Sequence, residues 1–226
     1  MEIVELSHVL EEGMPTYPTH TKFFQNVWQS KGDIAMMNQL VIGEHTGTHI
    51  DSPSHFPIDG PNRSKSIDQI LGTEIMGRCV KIFAGSDLEL DAMVGTLPLV
   101  EWEAINGPIL EGDIVIFDFS WEKKRWALGE KGFSYLEGWP GISEESADFL
   151  RDRGVKAVGT DCMSLDSSDG GRGKLPAHFK LLTAGIYIIE NLTNLEKLPN
   201  LSIFMALPLR IANGTGSPIR AIAFRN

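Results

Sequence analysis

Eight short β-branched runs constrain this chain most: "EIVEL" at 2–6, "NQLVI" at 38–42, "CVKIF" at 79–83, "DIVIF" at 113–117, "VKAVG" at 155–159, "IYII" at 186–189, "LSIFMAL" at 201–207 and "IRAIAF" at 219–224. Gly, Pro or Asp punctuates most of them, which is how strands are bounded. One stretch reads clearly as a helix, "SEESADFLRDRG". Ser143 can cap it, Glu144 and Glu145 suit its first turn, and Gly154 can close it. "SKSIDQIL" and "LPLVEWEAI" are weaker helical stretches, and "PAHFKLLTAG" fits a short helix from Pro176 to a stop at Gly185. Many strands with few helices in mixed order predict an α/β fold, a β-rich mixed sheet. At 226 residues, with no repeat and no obvious linker, the expectation is one domain spanning 1–226. The stretch 120–141, which holds three of the five tryptophans, is the longest expected loop.

Composition excludes some functions. Thirty acidic residues outnumber twenty basic ones, the formal charge is -10, and no basic run exists to track a phosphate backbone. Nucleic acid is therefore not an expected partner. No segment reaches the ~18 apolar residues of a membrane span, and the N-terminus lacks the basic and apolar regions of a signal peptide. Cys79 and Cys162 lie beside strand-like runs and are expected as buried free thiols in a reducing cytoplasm.

The densest chemistry lies in "HTGTHIDSPSHF", residues 45–56. His45, His49, Asp51 and His55 share odd positions with Gly47 and Pro53. A flat strand rises ~3.3 Å per residue, so His45 and His49 would stand ~13 Å apart, too far to share an ion held at ~2.1 Å. Thr-Gly-Thr followed by Pro53 is poor helix material. A bend remains, and Gly47 can supply its backbone angles. Two imidazoles and a carboxylate suit Zn²⁺, Mn²⁺, Fe²⁺ or Co²⁺ rather than Ca²⁺ or Mg²⁺. Three protein ligands leave a position open for water, whose pKa an ion can lower to ~7. His55, beyond the rigid Pro53, is placed to shuttle a proton rather than bind the ion. His8 and His20 lie apart and read as ordinary residues. Asp161, at the end of "VGTD", fits either an orienting partner for a ligand histidine or a turn former.

The stretch resembles the His-x-Gly-Thr-His-x-Asp-x-Pro-x-His-Phe signature of the Putative cyclase family, which includes bacterial kynurenine formamidases and isatin hydrolases. "ELSHVLEEGMPTYP", "PGISEESADFLRDRGVKAVGTDCMSLD", "HFKLLTAGIYIIENLTNL" and "GSPIRAIA" resemble its other segments, in the family's order. The resemblance implies a swivelling β/β/α-type fold and a homo-oligomer, dimer or larger. It also implies metal-dependent hydrolysis of a C–N bond in a small amide, with Zn or Mn as one or two ions per chain. His45, His49 and Asp51 would hold one ion. His178 and Glu190, spaced as in the family, would complete a second, bridged by Asp51 and Glu190. His55 would be the proton donor and acceptor while metal-bound hydroxide attacks the carbonyl, and Tyr17 would lie near the substrate. An arylformamidase-like activity is the first expectation. Ring opening of a cyclic amide or lactone, and a metal-binding or ligand-sensing protein without turnover, are the alternatives.

Overall fold

The computed structural model describes residues 2–28, 32–56, 65–85, 87–169 and 174–225. In chain order its elements are β1 (Glu2–Glu5), β2 (Phe24–Val27), β3 (Asn38–Val41), β4 (His49–Asp51), β5 (Met76–Phe83), β6 (Met93–Val94), α1 (Leu97–Asn106), β7 (Ile114–Asp118), α2 (Trp121–Arg125), β8 (Gly141–Ile142), α3 (Glu144–Arg153), β9 (Ala157–Thr160), α4 (Pro176–Thr183), β10 (Tyr187–Glu190), β11 (Leu201–Pro208) and β12 (Gly216–Arg225). The eight runs read as strands all carry strands, with ends shifted by a few residues. The α/β, sheet-rich expectation holds.

The main sheet runs β1-β12-β11-β5-β7-β9-β10-β4, and β4 pairs again with β12. That second pairing closes the sheet into a barrel. Strands β5, β7, β9 and β10 are mutually parallel, whereas β4, β11 and β12 pair antiparallel to their neighbours. The parallel strands β7, β9 and β10 are buried along their whole length. They are covered on both faces, so their sequences are continuous apolar runs rather than alternating ones.

Alternate residues of these strands join different cores, because side chains switch faces with period two. Cys79, Ile114, Ile116, Ala157, Tyr187 and Ile189 pack with Ile50, Phe204 and Ala221 inside the barrel. Val80, Ile82, Val115, Phe117, Val158 and Ile188 face outward against Leu99, Leu150, Leu181 and Leu182 of the helices. Full burial of each such isoleucine or leucine contributes about 1.5–3 kcal/mol.

Helix α3 starts and stops where its sequence directs. The Ser143 hydroxyl accepts from the Ser146 N–H at 3.2 Å, and Gly154 closes it at φ 69°. Helix α4 begins at Pro176 as expected. "LPLVEWEAI" forms α1, whereas "SKSIDQIL" yields only a 3₁₀ turn, Ile67–Gln69, with Ser64 outside the described residues. The stretch 120–141 is not a long loop. It folds into α2 and a 3₁₀ segment, Gly129–Leu136, with Trp121, Tyr135 and Trp139 buried. The tryptophans do the ordering: their indole N–H groups donate to the Tyr135 and Asp166 carbonyls. Cys79 and Cys162 are buried free thiols, as expected. Among the described residues no helix is long and apolar enough to cross a membrane.

Candidate metal centre

The short strand β4 positions the centre. It is three residues long and lies between β10 and β12, with His49 opposite Glu190 on one side and Asp51 opposite Gly216 on the other. Ile50 and Ile189 point into the barrel. Alternation therefore puts His49, Asp51 and Glu190 together on the outer face, under α4. Strand pairing thus brings Glu190 to the first motif from 141 residues away in sequence.

His45 reaches the same place around a bend. Gly47 has φ 63°, in the left-handed region, and a Cβ there would lie 2.8 Å from Leu10 and 2.9 Å from Met14. A side chain there would be strained at that φ and would have to push aside the ends of Leu10 and Met14, so Gly47 has the role expected of it. On the far side, a Cβ at Gly216 would lie 2.5 Å from the His45 ring. The ring occupies the space that residue leaves.

His178 comes from the first turn of α4, beneath which Ala177, Leu181 and Leu182 anchor the helix. Its Nε2 is 3.5 Å from Asp51 Oδ2 and 3.3 Å from Glu190 Oε1. His49 Nε2 is 3.5 Å from Asp51 Oδ1 and 3.4 Å from Glu190 Oε2. His45 Nδ1 is 2.7 Å from Asp51 Oδ1. The ligand atoms form two sets, His45–His49–Asp51 and Asp51–His178–Glu190, each within 4.8 Å. Tetrahedral ligands at ~2.0–2.1 Å from one ion stand about 3.3 Å apart. The separations made by His49 and His178 match that spacing, the His45–Asp51 contact is shorter, and Asp51 presents a different oxygen to each set.

The surroundings make the acids ionised. Asp51, Glu190, His49 and His178 are all buried. Burial alone would raise the Asp51 carboxyl, but the charge of His45 and hydrogen bonds from His178 and His45 hold it well below the usual range. Burial acts upward on Glu190 too, and hydrogen bonds from His178 and His49 bring it down to about 2. Two buried carboxylates this close need compensating positive charge. Burial lowers the His49 and His178 imidazoles, but hydrogen bonds to Glu190 and to Asp166 raise them, so protonated rings can supply that charge. A divalent cation held by the same rings in neutral form would supply it equally, and the donor set fits one.

Each imidazole is held from behind. His49 Nδ1 lies 2.8 Å from the Gly47 carbonyl, and His178 Nδ1 lies 2.6 Å from Asp166 Oδ2. Asp166 also accepts from the Ala177 and His178 N–H groups, so one carboxylate both caps α4 and orients its histidine. Asp161 has no such role. Its carboxylate accepts from the Phe119, Trp121 and Glu122 N–H groups and shapes the turn into α2. Burial pushes that carboxyl up to about 7 against those three donors. The orienting acid is five residues further on, in the segment after β9, where nothing in the local pattern distinguishes it.

The remaining residues line a cavity of about 100 Å³ next to the ligand atoms, walled by Tyr17, His20, Phe56, Met163, Ser164 and Leu175. Tyr17 meets Trp139 edge-on. His55 belongs to neither ligand set. It sits on the 3₁₀ turn Pro53–His55, its ring 4.0 Å from that of His45, and burial pushes its imidazole down to about 4. His20 was expected to be an ordinary residue, yet it lines the cavity 5.6 Å from the His45 ring. It lies in an irregular segment, so no periodicity could have signalled it. His8 does lie outside the cavity, stacked on Trp126 at 3.5 Å.

Known proteins resemble this chain over nearly its whole length. An isatin hydrolase from Roseibium aggregatum is 29% identical over 99% of this chain and 91% of its own length. A kynurenine formamidase from Bacillus cereus is 28% identical over 98% of this chain and 96% of its own. The solved structure of isatin hydrolase A from Labrenzia aggregata, bound to benzyl benzoate, superposes with a TM-score of 0.89 at 30% identity, covering 98% of this chain and 93% of that one. That likeness bears out the expected fold type. A profile of the family described as Putative cyclase matches residues 4–167, most of the chain, and with the relatives' hydrolase names it establishes that this chain is a hydrolase belonging to that family.

Proposed function

We propose that the chain, working as one domain, hydrolyses a C–N bond in a small aryl amide, most simply an aryl formamide, with a divalent metal at the centre. The observation that carries this is Asp51, which turns one oxygen to His45 and His49 and the other to His178, beside a cavity with aromatic and apolar walls. His45, His49 and Asp51 would hold one ion. His178 and Glu190 would hold a second with Asp51, and Asp51 and Glu190 would bridge the pair. The imidazole and carboxylate donors suit Zn²⁺ or Mn²⁺. A bound ion would supply acidity to a water and polarise the substrate carbonyl.

The chain's own groups supply the rest. Tyr17, Phe56 and Leu175 enclose an aryl ring and exclude water. His55 is neutral at working pH, so it can accept a proton from the attacking water. It then donates that proton to the leaving nitrogen as the C–N bond breaks, so each turnover returns it to its starting state. The second reading is ring opening of a cyclic amide or lactone, which needs the same attack and the same proton. The relative named isatin hydrolase, matched over nearly the whole chain, favours keeping it.

Stepwise metal titration followed by assay of formanilide and of isatin tests this reading. Wild type is expected to show two binding events and to cleave at least one of the two compounds. Glu190→Gln is expected to lose one event and part of the turnover. A variant that titrates and turns over like wild type would make Glu190 a structural residue and the centre mononuclear.

We further propose a homo-oligomer, dimer or tetramer, in a reducing cytoplasm that keeps both thiols free. Strands β2 and β3 pair only with each other among the described residues, and both are exposed throughout. They present Phe24, Val27, Leu40 and Val41 to solvent, with Trp28 and Met37 exposed just beyond their ends. A two-stranded sheet is marginal alone, and apolar surface of this kind fits a second copy of the chain. Sedimentation should give a multiple of the chain mass; a monomer at micromolar concentration would overturn the proposal.

A further inference from the structure

We infer that Thr215 and Glu44 are positioning residues that set the tautomer of His45 and hold its Nδ1 toward the metal centre; the inference rests on the metal reading above. Glu44 precedes His45, but its side chain turns to the segment entering β12. There Glu44 Oε2 accepts the Thr215 N–H at 3.0 Å and the Thr215 hydroxyl at 2.7 Å. The Thr215 oxygen is also 3.1 Å from His45 Nε2.

Donor counting assigns the protons. A threonine hydroxyl has one hydrogen and two lone pairs, and a carboxylate only accepts. The hydroxyl has two acceptors within reach, and the charged one is the closer, so its hydrogen goes to Glu44. A lone pair then faces His45 Nε2, which must carry the imidazole hydrogen. In the neutral imidazole, the form that binds a metal, Nδ1 is then left bare, 2.7 Å from Asp51 Oδ1. A proton on Nδ1 makes that contact a hydrogen bond to Asp51, and a metal ion in the proton's place would make the two atoms a pair of ligands.

The same logic governs the other two imidazoles, with a different device behind each. A backbone carbonyl takes the Nδ1 hydrogen of His49, and the Asp166 carboxylate takes that of His178. His45 differs in having a hydroxyl interposed before its acid, so both Thr215 and Glu44 are needed to fix the direction. Two further contacts hold Thr215 in place. Its carbonyl accepts the Ser52 N–H and the Ser52 hydroxyl, each at 2.9 Å. Gly216 beside it leaves the His45 ring its space. The segment that closes the barrel is therefore also the segment that orients a ligand from behind.

Cobalt titration of the metal-stripped full chain tests this, read by visible absorption and by competition with a chelator. Thr215→Val keeps the shape and removes the hydroxyl. It is expected to weaken Co²⁺ binding about 10–100-fold, the usual effect of losing a group that orients a ligand, and to alter the absorption bands, with unchanged circular dichroism. Thr215→Ser is expected to restore both affinity and spectrum. Glu44→Gln, which leaves the hydroxyl free to donate to His45 instead, is expected to weaken binding in the same direction and supplies the comparison if valine at 215 does not fold. A wild type that binds no Co²⁺ would overturn the metal reading itself. A wild type that binds Co²⁺, with folded Thr215→Val and Glu44→Gln matching it in affinity and spectrum, would overturn the positioning role alone.

Discussion

His49→Ala is expected to lose metal and turnover together. His49 Nε2 faces both buried acids, 3.5 Å from Asp51 and 3.4 Å from Glu190. It is buried, and its other nitrogen is committed to the Gly47 carbonyl, so no neighbour can swing in to replace it. Removing it leaves four groups, His45, Asp51, His178 and Glu190, around a gap, and two buried carboxylates with less positive charge to face. The ion's contribution to such a reaction is several kcal/mol, and each 1.4 kcal/mol is tenfold in rate. Turnover should therefore fall by at least about 10³-fold. Elemental analysis of the purified variant after incubation with Zn²⁺ or Mn²⁺ checks the metal, and the amide assay checks the rate. Full occupancy with wild-type turnover would remove His49 from the centre.

His55→Ala should separate what His49→Ala joins. The variant is expected to keep its metal and lose turnover by ~10²–10⁴-fold, the usual contribution of a general acid–base group. The geometry is the reason for the difference. His55 stands outside both ligand sets, next to His45 at the cavity wall. Its turn is held by the His55 N–H donating to the Ser52 carbonyl at 2.9 Å, so the backbone there does not depend on the imidazole. Burial lowers its pKa, so it waits as a neutral base rather than as an imidazolium paired with Asp51. If the variant emptied the centre instead, His55 would be a ligand and the proton would need another carrier.

These two outcomes differ although the residues lie six positions apart, and the difference shows where sequence reasoning works. The His45–Asp51 grouping was legible because it is local. Seven consecutive residues cannot place two imidazoles on one ion unless the chain bends, and Gly47 is the residue that allows the bend. The helix α3 was legible for the same reason: its cap, its charged first turn and its closing glycine all act within one or two turns of chain. Strand β4 was not predicted. Three residues are too few to show a period, and its polar members look nothing like a core strand. Asp166 was missed in favour of Asp161, since both are acids near the end of one strand and only the packing of α4 selects between them.

The sequence by itself determined the ligand chemistry, the bend that gathers His45, His49 and Asp51, most of the strands, and the family resemblance through which His178, Glu190 and His55 received their expected roles. Tertiary structure decided the rest. It set the register that puts Glu190 opposite His49, the closure of the barrel by β12 that brings Thr215 and Gly216 against His45, and the inclusion of His20 in the cavity wall. The physical reason is range. Backbone angles and ligand types are properties of a few adjacent residues, whereas a shared ion and its supporting hydrogen bonds require atoms from strands far apart in the chain. Their meeting depends on the whole sheet closing in one register.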